Sequence, residues 1–426
     1  MDLVKVGVVG CGTVGSGVVE ILLKNGDLIE KRTGKKIELS LVADRNVEKV
    51  KKLDVPENII VDDGFKVVDS DVDVVVELIG GVTVAKEIVL KSLKNGKHVV
   101  SANKALFASY GKELFEEAKR NGVSIRFEAS VGGGIPVIKA LNEGLVANRI
   151  EKILGIINGT ANFILTKMTE NLLPFKAALQ IAKDRGYAEA DPSFDINGID
   201  AAHKIAILSS IACGRWITVD DVYVKGIRDI TPFDIEFANE FGYRIKLLAV
   251  AKFENGTIEV RVHPAFLPKS HILSSVDGVF NACLIEGDFV GPTLYYGMGA
   301  GKEPTASAVV ADIADIASSR GSSVPAQLLY QESQIFIKNP EDFVSSFYLR
   351  FTAVDKPGVL SKISGILAKY GISIKMAFQK NVGFNGGVPV VMTTHDASFK
   401  TVRRAVEEID NLDVILNPTF LCMIEE

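Results

Sequence analysis

Over the first third of the chain, short runs of β-branched residues alternate with amphipathic stretches. Apolar runs at 4–9, 37–43, 59–61, 72–79, 98–101 and 124–128 predict strands, and apolar residues at helical spacing predict helices over 84–94 and 106–120. The two helices stop at Asn95-Gly96 and Asn121-Gly122, where glycine takes the left-handed turn that ends a helix without a steric cost. Strands and helices in strict alternation give a parallel sheet covered by helices.

Beyond Gly132-Gly133-Gly134 the segments lengthen and mix, with a helix expected over 198–210 and strands over 244–253 and 257–263. The helical stretch 306–317 is expected to return to the first domain, with Asp312 and Asp315 on its wetter face. From Ser346 a new unit reads as strand 347–354, helix 359–370, strands 374–379 and 388–394, helix 398–409 and strand 414–423. That βαββαβ order is ferredoxin-like and predicts a tail that supplies its own four-stranded sheet. The expected division is therefore an α/β, Rossmann-like parallel-sheet domain over 1–134 (with helix 306–320), an α+β catalytic and dimerisation domain over 135–320, a linker over 321–345 and the ferredoxin-like domain over 346–426.

Composition narrows the function. The formal charge of −5 is spread along 426 residues, and no Lys/Arg cluster is interleaved with aromatics, so nucleic acid is not an expected partner. Cys11, Cys213, Cys283 and Cys422 form no CxxC pair, which excludes the usual redox and zinc motifs and fits a reducing cytoplasm. The uncharged run 6–19 is broken by Gly10, Gly12, Gly15 and Gly17, a turn pattern rather than a signal peptide, and no membrane span is expected.

Gly10-Cys11-Gly12-Thr13-Val14-Gly15 follows an apolar strand and opens a helix, the setting in which glycines let a dinucleotide pyrophosphate approach the backbone. At the end of the second strand Asp44 suits the ribose hydroxyls of NAD, whereas Arg45 suits the 2′-phosphate of NADP, so either cofactor is open. Ser101-Ala102-Asn103-Lys104 lies beyond the carboxyl end of another strand, where open α/β sheets bind ligands. Glu189, Asp191, Asp195, Asp200 and Lys204 fall in one turn-rich stretch. Asp200 and Lys204, spaced i,i+4, share a helix face, either as an ordinary ion pair or as part of a site that must supply a proton. No histidine sits in an evident catalytic setting, which leaves lysine as the candidate acid.

With these motifs the chain resembles the single-function homoserine dehydrogenases. The resemblance runs through 10–15, 101–104, Glu128-Ala129-Ser130-Val131-Gly132-Gly133-Gly134-Ile135-Pro136, Asn158-Gly159-Thr160, the acidic run ending in Lys204, and 299–308. It implies reduction of aspartate 4-semialdehyde to homoserine with NADP or NAD, on the route to threonine and methionine. It further implies that Lys204 donates the proton, that Lys104 assists beside substrate and nicotinamide, and that Glu189 holds the substrate ammonium. Asp195, Asp200 and Thr160 would complete the polar pocket, Gly301 would line the cofactor, and a sodium ion would sit at Glu128, Val131, Gly133 and Ile135. The tail, with Asp355-Lys356-Pro357-Gly358-Val359, resembles an ACT domain, which implies an amino-acid effector, threonine being the expected one, and a homodimer or homotetramer. Two other readings keep the first and last domains: a hydroxy-acid dehydrogenase with an ACT tail, which lacks the expected His-carboxylate pair here, and a non-catalytic dinucleotide or amino-acid sensor, which has no need of the 189–204 cluster.

Overall fold

The computed structural model describes residues 3–318, 335–380 and 383–426. The first third comprises β1 (Leu3–Val9), α1 (Thr13–Thr33), β2 (Lys36–Ala43), β3 (Ile60–Val61), β4 (Val74–Glu77), α2 (Thr83–Lys94), β5 (His98–Ser101), α3 (Lys104–Asn121) and β6 (Ile125–Arg126). The middle contains β7 (Ile150–Ile156), α4 (Gly159–Asn171), α5 (Ile199–Cys213), α6 (Pro232–Glu240), β8 (Tyr243–Glu254), β9 (Thr257–Pro268), β10 (Phe280–Gly287), β11 (Gly291–Met298) and α7 (Lys302–Ser318). The tail contains β12 (Val344–Ala353), α8 (Val359–Lys369), β13 (Ile374–Gln379), β14 (Val388–Thr394), α9 (Phe399–Asp410) and β15 (Ile415–Ile424).

The chain forms two compact units, and neither is a single stretch: one holds 1–159, 200–222 and 279–335, the other 160–199, 223–278 and 336–426. The residues expected to make one middle domain are thus shared between the units. In the first, six parallel strands stand in the order β3-β2-β1-β4-β5-β6, which reverses direction between β1 and β4. Side chains alternate across this sheet. Val6, Val8, Val74 and Val76 pack on one side with Ala306, Val309 and Ile313 of α7, while Val9 and Val75 pack on the other with Val67 and Ile88. Burial on both faces explains why these strands read as unbroken apolar runs. The same unit also contains an antiparallel sheet ordered β11-β10-β7.

Two expectations change in this unit. Asp312 is buried rather than on a wet face of α7, because its carboxylate accepts the Glu128 N–H at 2.8 Å. The strand expected over 124–128 is only Ile125–Arg126, because Glu128 leaves the ladder and uses its own carboxylate to accept the N–H groups of Ile138 and Lys139.

In the second unit one sheet runs β8-β9-β15-β12-β14-β13. The tail has the expected βαββαβ order, but its sheet is not self-contained: β15 pairs in parallel with β9 through Ala265–Met423 and Phe266–Ile424. Period two divides β12 as well. Phe347, Leu349 and Phe351 enter the tail's core with Ile363, Leu367, Val402 and Ile409, whereas Tyr348 and Arg350 point to the opposite face. There the buried Asp234, in the first turn of α6, accepts from Tyr348 Oη at 2.7 Å and Arg350 Nε at 2.8 Å, and its other oxygen accepts the Thr231 N–H and hydroxyl. Of the expected linker, 321–334 lies outside the described residues, and Phe336–Ile337 is already paired with β9.

Removing Asp234 leaves a buried guanidinium without its carboxylate, the costly way to break such a pair. Asp234→Ala is expected to lower unfolding stability by about 3–5 kcal/mol in chemical denaturation. A loss below roughly 1 kcal/mol would mean that the contact contributes no more than a surface ion pair.

Candidate active site

The glycine loop between β1 and α1 is built by close contacts. Gly10 has φ +97, and a Cβ there would meet the Leu78 backbone at 2.7 Å; a Cβ on Gly15 would meet the Gly10 carbonyl oxygen at 2.0 Å. Gly12, which precedes the first turn of α1, has open space where its side chain would be. The N–H groups at Thr13, Val14 and Gly15, in the first turn of α1, are those that a helix start offers to an anion. A cavity of about 660 Å³ opens here, lined among others by Gly10, Gly12, Asp44, Arg45 and Gly81. Asp44 braces the loop: its oxygens accept the Cys11 N–H at 2.7 Å and the Asn46 N–H at 2.8 Å. Arg45 is exposed at the rim. Gly301, with φ +124, directly precedes α7, and Lys302 ties that helix to Glu20 of α1 at 2.7 Å.

Beyond β5, Asn103 caps α3 by accepting the Leu106 N–H, and Lys104 is the first residue of the helix. Lys104 Nζ lies 2.7 Å from Asp200 Oδ1, and Lys204 Nζ lies 2.7 Å from Asp200 Oδ2. Lys204 also donates to the Ile157 carbonyl at 2.7 Å, and Asn158 Nδ2 donates to Asp200 Oδ2 at 2.8 Å. The Asp200 carboxylate, 3 % exposed, is therefore shared by two ammonium groups and an amide. Burial pushes its pKa up, but Lys204 and Lys104 more than reverse this and hold it well below the usual carboxylate range.

The other predicted substrate residues belong to the second unit. Thr160, in the first turn of α4, donates to the Tyr187 carbonyl at 2.7 Å and so fastens the segment that carries Glu189. Glu189 is exposed, and Asp195 is half-buried on the short helix Ser193–Ile196. In that unit His263 stands beside Glu425, but burial and Arg261 push its pKa down to about 3, which makes it a neutral core histidine. Around the predicted metal residues, Gly132 (φ +74) and Gly133 (φ +56) form a tight turn, and the Ile135 N–H donates to the Gly132 carbonyl. Burial and the nearby Asp312 push Glu128 up to about 8, and burial pushes Asp312 up to about 7. Among the described residues no group of three or more carboxylate, histidine or cysteine side chains converges on a metal position.

Models of three known domains match the chain: the homoserine dehydrogenase NAD-binding domain over 10–128, the homoserine dehydrogenase domain over 136–314 and the ACT domain over 347–412. A homoserine dehydrogenase of Neisseria gonorrhoeae is 46 % identical, the match covering 100 % of this chain and 99 % of that protein. The chain belongs to the homoserine dehydrogenase family. Homoserine dehydrogenase of Pseudomonas aeruginosa is 45 % identical over the whole of both chains. The crystal structure of a homoserine dehydrogenase from Thiobacillus denitrificans superposes with a TM-score of 0.93 at 44 % identity, covering 100 % of this chain and 98 % of that one. A hyperthermophilic archaeal homoserine dehydrogenase in complex with NADPH gives 0.62 at 29 % identity, covering 73 % and 96 %.

The protein is thus an NAD(P)-dependent homoserine dehydrogenase with a C-terminal ACT domain, an oxidoreductase of amino-acid biosynthesis. The hydroxy-acid dehydrogenase and the silent sensor are set aside. Among the described residues no helix is long and apolar enough to cross a membrane. Two buried polar contacts escaped the sequence. Asn158 was visible only as part of a motif, and its bond to Asp200 spans 42 positions. Lys246, buried on β8, donates to the Val276 carbonyl at 2.6 Å and to Asp277 at 2.7 Å, tying loop 276–278 to Asn162 of α4. A lysine next to the apolar run 247–251 of its strand is its only signal.

Because the folded pKa of Asp200 is depressed, ionised Asp200 contributes stability that is fully present above the unfolded carboxyl's value near 3.8 and is lost as pH falls toward the lower folded value. Unfolding free energy measured from pH 7 down to acid should therefore fall more steeply in the parent protein than in Asp200→Asn. Parallel curves would show that Asp200 carries no such linkage.

Proposed function

We propose that the Lys104–Asp200–Lys204 clamp is the reacting centre, the observation that carries this being one buried carboxylate bonded to two lysines. Lys204 holds the proton that the substrate oxygen gains on reduction and loses on oxidation. Lys104 stands on the other carboxylate oxygen of Asp200 and steadies the negative charge developing on the substrate oxygen. Asp200 keeps the two cations within one site. The nicotinamide cofactor, when bound, supplies or receives the hydride. The family resemblance assigns the substrate ammonium to Glu189 and polar contacts with the substrate to Asp195 and Thr160, and within the first unit Asn158 holds Asp200 in place.

The first-domain cavity fits the cofactor, because the glycine loop is open at Gly12 and is followed by a helix start. Gly10, Gly12, Thr13, Val14 and Gly15 would face the pyrophosphate, and Gly301 would border the cofactor from the α7 side. Arg45, exposed at the rim of this cavity, would pair with a 2′-phosphate. Asp44, though engaged on two N–H groups, retains acceptor capacity for a ribose hydroxyl, so the cofactor is NADP or NAD according to which of the two residues dominates. Sodium, a hard cation, would suit the backbone carbonyls of Glu128, Val131, Gly133 and Ile135. The exposed residues Leu294, Tyr296 and Met298 recur on one face of β11, with Phe280 stacked on Tyr296 at 5.2 Å, an apolar stripe that suits a homodimer contact. Four cysteines without a disulfide fit a cytoplasmic location.

Lys204→Met is expected to lower turnover of homoserine by about 100-fold or more, with cofactor binding unchanged in a fluorescence titration. Near-normal turnover would remove Lys204 from the proton-donor role.

The tail senses threonine and lowers activity. Gly358, with φ +90, turns the chain into α8, whose first N–H groups suit an amino-acid carboxylate. Truncation is a poor test, since it strips β15 from β9. In the full chain, threonine should bind by calorimetry and inhibit homoserine oxidation, whereas serine should do neither. Absence of both binding and inhibition would reject threonine as the effector.

A further inference from the structure

Glu77 closes β4 opposite Ser101 of β5, at the end of the sheet where the glycine loop lies. It is fully buried, and a buried carboxylate is tolerated only where donors surround it. Here they do. Oε1 accepts the Ile79 N–H at 2.9 Å and Oε2 accepts the Ser101 hydroxyl at 2.7 Å, while the Gly80 N–H and the Asn103 side chain stand near enough to favour the charged form. Burial pushes the carboxyl above its ordinary value, and these donors oppose that.

Two chains of contacts leave this hub. One bends the backbone after β4 through Gly80 (φ +73) and Gly81 (φ +69), both of which line the cofactor cavity. The other runs through Ser101, whose hydroxyl oxygen accepts the Asn103 N–H at 3.1 Å. Asn103 then donates to the Gly81 carbonyl at 2.6 Å and accepts the Leu106 N–H at 3.1 Å, which sets where α3 begins. The next residue is Lys104, 2.7 Å from Asp200. The cavity turn and the start of α3 are thus joined twice, by Glu77 inside and by the Asn103–Gly81 bond outside.

We propose that Glu77 is a positioning residue for the dehydrogenase reaction, acting through Ser101 and Asn103 to fix Lys104 on Asp200 and through the 78–81 turn to shape the nicotinamide side of the cavity. This rests on the reading of Lys104 as part of the reacting centre. Glutamine at position 77 keeps the volume but replaces one acceptor oxygen with a donor, so either the Ile79 N–H faces another donor or the Ser101 hydroxyl must turn from donating to accepting, which rearranges its contact with Asn103. An ångström of misplacement at a reacting group is enough to slow chemistry by about 100-fold.

The test compares Glu77→Gln, Ser101→Ala, their double variant and Lys104→Met by kcat, homoserine KM, NADPH Kd and unfolding midpoint. Glu77→Gln and Ser101→Ala should each lower kcat by about tenfold or more. The double variant should fall within about twofold of the worse single one, because both break one route. Glu77→Gln should also weaken NADPH several-fold, whereas Ser101→Ala should not. Normal kcat in folded Glu77→Gln, or losses that multiply in the double variant, would overturn the proposal. Should Glu77→Gln fail to fold, Ser101→Ala decides alone: it deletes a single oxygen, and full turnover in it would overturn the proposal. Lys104→Met separates the two levels, since unimpaired turnover there would reject the reacting-centre reading itself, whereas a loss there beside normal kcat in Glu77→Gln would reject only the positioning role.

Discussion

The buried carboxylate of Asp200 is the constraint around which the first unit is arranged. Two lysine ammonium groups within about 4 Å of a common point repel each other, and burying either alone would favour its neutral form. One carboxylate between them removes both difficulties, and its oxygens divide the work, Oδ1 to Lys104 and Oδ2 to Lys204. The arrangement also answers a local conflict in α3. A cation in the first turn of a helix opposes the macrodipole, so Lys104 has an unfavourable place that a buried anion offsets. Asn158 and the Ile157 carbonyl complete the hydrogen bonding, without which such a charge could not remain buried.

What brings these groups together is the polarity of the parallel sheet. Every strand from β1 to β6 ends at the same edge, so the glycine loop, Asp44, Glu77 and Lys104 gather there although they lie up to a hundred residues apart. The reversal of strand order between β1 and β4 leaves the crevice in which ligands of such sheets bind. Helix α7 returns from the far end of the sequence to cover β1 and β4, and its approach to α1 depends on Gly17, where a Cβ would stand 2.9 Å from that of Ala306. A methyl group at Gly17 therefore pushes apart the two helices that carry the cofactor-side loops.

Legibility in the sequence followed the range of the interactions. Strand and helix positions came from periods of two and 3.6, which are local, and most lie within a few residues of the expectation. The Asp200–Lys204 pair came from i,i+4 spacing for the same reason. Pairings across tens or hundreds of positions left weak traces. The burial of Asp312 depends on Glu128, 184 residues away, and helical periodicity alone placed it in water. Glu77 ends an apolar strand as a single acidic residue, which a local reading takes as the edge of a loop. The family resemblance added what no periodicity holds, including Asn158 and the glycine turn at 132–133, but it gave residues rather than the bonds between them. The tail was legible as a fold and misread as a free-standing one, because the pattern of β15 shows that it is a strand but not that it has neighbours on both sides.

That misreading matters for regulation. A ligand of the tail alters turnover only by binding two arrangements of the protein unequally. A tail that folded alone on a flexible tether would have no means of making its state differ with that of its neighbour. Here β15 lies between β12 and β9, and Asp234 of α6 holds Tyr348 and Arg350 of β12, so a shift of the tail's first strand breaks hydrogen bonds on α6 or strains the ladder to β9. On β8, the neighbour of β9, Lys246 grips the loop at 276–278 and through it α4, whose Thr160 fastens the segment bearing Glu189. Apart from the exposed Thr160–Tyr187 bond and the half-buried Lys246–Asp277 contact, these are buried hydrogen bonds or strand pairings, and such contacts tend to be made or broken rather than continuously stretched. The second unit thus has a contiguous set of strand pairings and hydrogen bonds from the ACT domain to the segment that carries Glu189, and unequal binding of a small molecule by the tail has a physical means of changing how that segment is held.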